Sequence, residues 1–196
     1  GSEDEIITCL KQGAVIKWAD KDGRTPLYYT CWSNHVKEAR LLLDNGANID
    51  QESKEGTTPL YVACEKGHVD FAQLLLEKGA DFNKANKNGT TPLYIACHNG
   101  HLDAAKLLLD NSAEVDKAKK GGFTPLYIAC QKGHVDAARL LLDKGADVDR
   151  AGNNGMTPLY IACQNGHVDA ARLLLDNGAV VDKAEERNAT PLIIAC

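Results

Sequence analysis

The chain has 196 residues, a formal net charge of −5 and 44% hydrophobic residues. That balance argues against broad electrostatic attraction to nucleic acid or to anionic membrane surfaces. No apolar run approaches the length that spans a bilayer, and no charged segment followed by an apolar one opens the chain, so a soluble protein without a surviving address is expected.

Gly1-Ser2, with no Met, reads as the remnant of a cleaved tag and is set aside. Residues 3–19 hold half of a structural unit: Glu3 to Leu10 read as a helix, Gly13-Ala14 aligns with Gly46-Ala47, and Trp18 leads into the next turn. This is an N-terminal cap, and Glu3, Asp4 and Glu5 suit the positive end of its helix dipole.

From there the sequence is periodic. Thr-Pro-Leu-Tyr-Ile-Ala-Cys is spelled out at 91–97, 124–130 and 157–163, with variants at 25–31, 58–64 and 190–196, so that Thr25, Thr58, Thr91, Thr124, Thr157 and Thr190 recur every 33 residues. Such a period means a stacked array of small units. The full units run over 20–52, 53–85, 86–118, 119–151 and 152–184, and a partial sixth over 185–196.

Each unit has one internal grammar. A polar turn comes first, with Gly23, Gly56, Gly89, Gly122 or Gly155 where positive φ is required. Thr then caps a short helix and Pro fills its first position, where no backbone N–H is missed. Gly67, Gly100, Gly133 and Gly166 end that helix, with Asn34 in the same place in the first unit. A second helix starts at His35, His68, His101, His134 and His167 and carries Leu-Leu-Leu; glycine stops it in four units, and Ser112 is a weaker stop in the third. The sixth unit ends after its first helix, which leaves Leu192, Ile193 and Ile194 without a covering helix and suggests that the native array continues or was cut.

Six of the seven cysteines, Cys31, Cys64, Cys97, Cys130, Cys163 and Cys196, share one repeat position. Stacked helices lie roughly 8–10 Å apart, beyond the about 7 Å between Cα atoms that a disulfide tolerates. Free thiols in a core are expected, and with them a reducing, intracellular setting, cytoplasmic or nuclear.

Gly-x-Thr-Pro-Leu, then Gly-His, then Leu-Leu-Leu, then Gly-Ala-Asp, at a 33-residue step, resembles the ankyrin repeat over essentially the whole chain. The resemblance implies an all-α fold, an α-solenoid of helix pairs with hairpin-like fingers projecting to one side, and protein binding on the concave face. Two departures recur. The family's usual His after Thr-Pro-Leu is here Tyr28, Tyr61, Tyr94, Tyr127 and Tyr160, whose hydroxyls are candidates to replace imidazole hydrogen bonds, and a usual Ala is Cys. The family is also known for asparagine hydroxylation, and Asn83, with Leu75 eight residues earlier, fits that pattern; otherwise it is an ordinary turn residue.

No nucleophile elbow, phosphate loop or zinc-binding His-Glu-x-x-His motif occurs, and the recurring His and Cys form combs rather than converging sets. Neither an enzyme, a cofactor, a metal nor a small-molecule substrate is expected. Asp103, Asp136 and Asp169 have a plainer role, pairing with Lys106, Arg139 and Arg172 three residues on.

The variable positions carry the functional reading. Lys21, Lys54, Lys87 and Lys120 take one finger position in four successive units and stack into a positive row, which favours an acidic, extended partner over the N-terminal part of the groove. Trp32 stands where other units carry Glu65, His98, Gln131 and Gln164, and is an anchor candidate. Phe123 and Met156 replace Arg24, Thr57 and Thr90 at one finger position and supply adjacent apolar contacts. The resulting expectation is a non-catalytic module that binds a partner protein or peptide. An engineered ankyrin scaffold, or a targeting arm cut from a larger enzyme or membrane protein, are the alternatives.

Overall fold

Thr-Pro fixes where the first helix of each unit begins. In the computed structural model, which describes residue 16 and residues 18–181, the inner helices are α1 Pro26–Trp32, α3 Pro59–Lys66, α5 Pro92–Asn99, α7 Pro125–Lys132 and α9 Pro158–Gln164. Each has Pro in its first turn and a Thr hydroxyl accepting from the backbone N–H of the tyrosine three residues on, from 3.3 Å at Thr25 to 3.1 Å at Thr157. Exchanging such a cap for alanine typically costs about 1 kcal/mol. The outer helices are α2 Val36–Asp44, α4 Val69–Glu77, α6 Leu102–Asp110, α8 Val135–Asp143 and α10 Val168–Asp176. The expected helix over Glu3 to Leu10 and the partial sixth unit lie outside the described residues.

Inner helices stack on one another in chain order, and each outer helix packs on the inner helix of its own unit. Leu27, Leu60, Leu93, Leu126 and Leu159 from the inner row meet Leu42, Leu75, Leu108, Leu141 and Leu174 from the outer row in one continuous core. No strand is present among the described residues; the fingers are tight turns, each closed by a backbone bond of the kind Ser53 N–H to Thr57 C=O, 3.0 Å.

Three hydrogen-bond ladders tie unit to unit. At the finger tips Lys54, Lys87, Lys120 and Asn153 donate backbone N–H to the carbonyls of Asp22, Glu55, Asn88 and Gly121 at 2.7–3.1 Å. Gly56 shows why glycine is needed there: its φ is +77°, and a Cβ would stand 2.8 Å from the Lys87 nitrogen. In the middle of the stack, Nε2 of His101, His134 and His167 lies 3.1–3.2 Å from the carbonyl oxygens of Glu65, His98 and Gln131 in the preceding unit. His68 makes no such bond, and its neighbour in the first unit is Asn34, with φ +58°, in place of glycine. At the equivalent Gly67 a Cβ would fall 2.6 Å from the next histidine's ring, so the Asn34 side chain takes the space the His68 ring would need. The third ladder follows each outer helix: side-chain oxygens of Asp50, Asn83, Asp116 and Asp149 accept from backbone N–H groups 31 residues on.

Two expectations are corrected. The tyrosine hydroxyls do not rebuild an imidazole-like network: among the five equivalent tyrosines only Tyr127 directs its hydroxyl to a protein atom, Sδ of Met156 at 3.8 Å. The tyrosines contribute through their rings instead, since Tyr28, Tyr61, Tyr94 and Tyr160 are 8% exposed or less. Of the three i,i+3 pairs expected within outer helices, those of Asp103 and Asp136 do not form. Only Asp169 and Arg172 pair within a helix, loosely at 3.9 Å, whereas Lys78 and Lys144 reach across units to Asp44 and Asp110 at 2.7 Å.

Cys31, Cys64, Cys97 and Cys130 are buried free thiols and Cys163 is half-buried. Desolvation pushes Cys97 and Cys130 from the ordinary 9.0 up to about 12. Unfolded thiols ionise first as pH rises, so the stability these groups contribute is complete below about pH 9 and is lost toward pH 12, by about 1.4 kcal/mol per pH unit per thiol. Urea midpoints measured from pH 7 to 11 will fall above pH 9, and Cys97→Ala with Cys130→Ala will make that fall shallower; an unchanged slope in the double variant refutes the assignment.

Ser112 holds φ +69° where Gly46, Gly79, Gly145 and Gly178 occupy the equivalent site with open space around them. Ser112→Gly removes left-handed strain without creating a contact and will raise stability by about 1 kcal/mol, read as a higher urea midpoint. A lower midpoint would show that the serine side chain contributes more than its backbone costs.

Candidate groove on the finger side

Because each finger bonds to the next through its backbone, Lys21, Lys54, Lys87 and Lys120 occupy one register position and are all exposed. The row is present, but its surroundings change along the stack. In the first finger Arg24 lies 3.8 Å from Asp22, and the Tyr29 hydroxyl donates to Asp20 at 2.7 Å, which holds that carboxyl below its usual range. Lys54 is followed by Glu55. The first two fingers thus carry carboxylates of their own beside the lysines, and one of them, Asp22, lies near Arg24.

Two hollows open between fingers and inner helices. The first, of about 380 Å³, joins units one and two and brings together Arg24, Trp32 and Lys54 with Tyr28, Tyr61 and Glu65. Trp32 is 48% exposed at the end of α1, and Nζ of Lys66 sits 3.6 Å from its ring centroid. One indole face therefore carries an ammonium, a cation–π contact worth about 0.5–1 kcal/mol at an exposed site. Trp18, 56% exposed, is outside this hollow.

The second hollow, of about 430 Å³, spans units three to five and is lined by Tyr94, His98, Lys119, Phe123, Lys132 and Asn165, among others. Phe123 is half-buried here, with its ring centroid 4.5 Å from that of Tyr127, whose hydroxyl in turn meets Met156. Phe123 and Met156 are thus linked through Tyr127. Lys21, Lys87 and Lys120 stand outside both hollows.

Sequence reasoning missed Lys66, Lys119, Lys132 and Gly152. Lys119 and Gly152 replace Asp20, Ser53 and Asn86, whose side chains close their own fingers by accepting N–H bonds two and four residues on. Loss of that acceptor was the available signal. Gly152 is bare because Phe123 lies against it: a Cβ there would meet the Phe123 ring at 2.5 Å.

Asn83 sits in the turn after α4, with its side-chain oxygen accepting from Glu114 N–H at 3.0 Å. Leu75 is fully buried. Among the described residues no group of His, Cys, Asp and Glu is arranged to hold a metal ion, and no helix is long and apolar enough to cross a membrane.

Ankyrin-repeat family models match the chain in three copies, over residues 1–86, 82–152 and 148–196. The chain belongs to the ankyrin-repeat family, whose members generally serve as protein–protein interaction modules. A search of curated proteins finds no match to it.

Gly152→Asn would restore the finger acceptor but collide with Phe123. Overpacking of this kind costs about 1–3 kcal/mol, and the cost will drop by more than half in a Phe123→Thr background. A double-mutant cycle in urea reads the coupling; equal costs in both backgrounds would clear the ring of blame.

Proposed function

We propose that this chain is a non-catalytic recognition module that holds a partner protein, or an extended acidic segment of one, along the finger and inner-helix side. What supports the reading is a division of labour. The groups that bind unit to unit are backbone atoms, buried leucines and repeated histidines, whereas, apart from the lysine row, the finger-side side chains that face solvent vary between units. A preformed scaffold loses little entropy on binding, so a few anchors can set affinity.

Trp32, Phe123 and Met156 are the apolar anchors. Trp32 offers its uncovered face, while Phe123 and Met156 offer the partly exposed edge of a packed cluster. Lys21, Lys54, Lys87 and Lys120, with Arg24 beside the first hollow, are the electrostatic selectors. The row of buried thiols supports a reducing compartment, cytoplasm or nucleus.

Panning a random peptide and protein-domain display library against the chain tests this directly. Trp32→Ala combined with Phe123→Ala and Lys87→Glu will abolish enrichment while leaving the unfolding curve similar. Lys54→Glu with Lys87→Glu will slow association of the selected partners and flatten its salt dependence. Enrichment indifferent to all these changes would place binding on another face.

A further inference from the structure

We infer that the hollow between units three and five, rather than the N-terminal half of the lysine row, is where a carboxylate side chain of the partner is read, with Lys119 and Lys132 as its receivers. This rests on the recognition reading above and assigns that reading a place and a chemistry.

The inference starts from where carboxylates are missing. In the first two units the finger and inner helix contain Asp20 and Asp22, then Glu55 and Glu65. The corresponding stretches 86–100, 119–133 and 152–166 contain no Asp or Glu at all. Within them Lys87, Lys119, Lys120 and Lys132 make no ion pair among the described residues. Three of the four acids of the third unit have partners away from the hollow: Asp110 pairs with Lys144, Glu114 with Lys117, and Asp116 accepts from Asp147 N–H, while Asp103 lies on the outer helix.

Lys119 and Lys132 differ from the lysine row because both line the second hollow, which no member of the row does. Lys119 lies at the base of the fourth finger, half-buried, with Nζ 5.5 Å from the Tyr94 ring centroid. Lys132 is the last residue of α7 and exposed. In the second unit the same helix position is Lys66, which is engaged with Trp32; in the third and fifth units it is Asn99 and Asn165, whose amides donate to the carbonyls of Glu65 and Gln131. Lys132 has neither engagement. Two ammonium groups therefore border a hollow of about 430 Å³ whose lining contains no acid.

The rest of the lining selects a peptide carboxylate over a nucleic acid strand. Base recognition on a single strand needs open aromatic faces, but Tyr94 and Tyr127 are each 4% exposed, and Phe123 is packed on Tyr127 and against Gly121 and Gly152. What the hollow offers beside its charges is the polar lining of His98, Gln131 and Asn165 and a narrow apolar edge. An acidic side chain next to a small apolar one on an extended segment fits that combination.

The test uses the full chain and a random dodecapeptide display library, selected in parallel on the unmodified protein, on Lys119→Gln with Lys132→Gln, and on Lys21→Gln with Lys54→Gln. Neither pair removes an ion pair, though Lys119 also lies beside the Tyr94 ring, and superimposable unfolding curves confirm that the scaffold is intact. Expected are Asp- or Glu-containing winners on the unmodified protein, slowed in association but still enriched on the Lys21 and Lys54 pair, and lost on the other. Synthetic winners should then bind the Lys119 and Lys132 pair about tenfold more weakly, and replacing their acidic residue by its amide should give a loss of similar size.

Acidic winners lost equally in both pairs, or lost only with Lys21 and Lys54, overturn the inference. Winners without acids that still depend on Trp32 or Phe123 overturn it too but leave the recognition reading standing; no enrichment at all counts against both. Phosphoserine in place of the acid binding more than tenfold tighter, or a fluorescent uridine 12-mer displacing the winners, would assign the hollow to a phosphate instead and overturn the carboxylate.

Discussion

The fold depends on a backbone bond that crosses from one finger to the next. Lys54 N–H to Asp22 C=O, and its three repeats along the stack, forms only where the residue facing it has no Cβ, since even a methyl at Gly56 would press on the neighbouring nitrogen. That contact fixes the register of successive units. Once it is fixed, the leucines of one unit meet those of the next, and the histidine ring finds the carbonyl it bonds. Hydrophobic burial supplies most of the driving force. The finger bond decides the alignment in which that burial is realised.

Much of this was legible in the sequence because repetition turns weak local signals into strong ones. Thr25-Pro26 alone would hint at a helix start; the same pair in register in later units, each followed by Leu and Tyr, leaves little else it could be. Caps, helix order and the buried thiols followed from that. The site was less legible, because its geometry arises between units. Nothing in the spacing of Lys66 reveals that its amine lies over Trp32, and nothing in Phe123 reveals that it needs Gly152 to be bare. The i,i+3 pairs do not form at Asp103 and Asp136 although helix geometry permits them; the shortest ion pairs run between units instead, from Lys78 to Asp44 and from Lys144 to Asp110.

The departures from repetition then have two meanings. Asn34 and Ser112 are left-handed positions filled by residues with side chains, and they mark where the scaffold gives up some stability. Lys119, Phe123, Gly152 and Lys132 are departures of another kind. They remove a finger acceptor, seat a ring and leave two amines unpaired around one hollow. Such a cluster spans two units and could not be found by inspecting either alone.

The finger ladder has an evolutionary corollary. It is made of N–H and C=O groups, so at the lysine positions any residue other than proline keeps the bond to the preceding finger. Substitutions on the exposed row are therefore nearly free of epistasis with the scaffold, and a lineage can trial new surface chemistry one unit at a time. Where that independence breaks down is equally local: Gly152 can gain a side chain only once Phe123 has given way, which orders changes in the fourth and fifth units within an otherwise separable array.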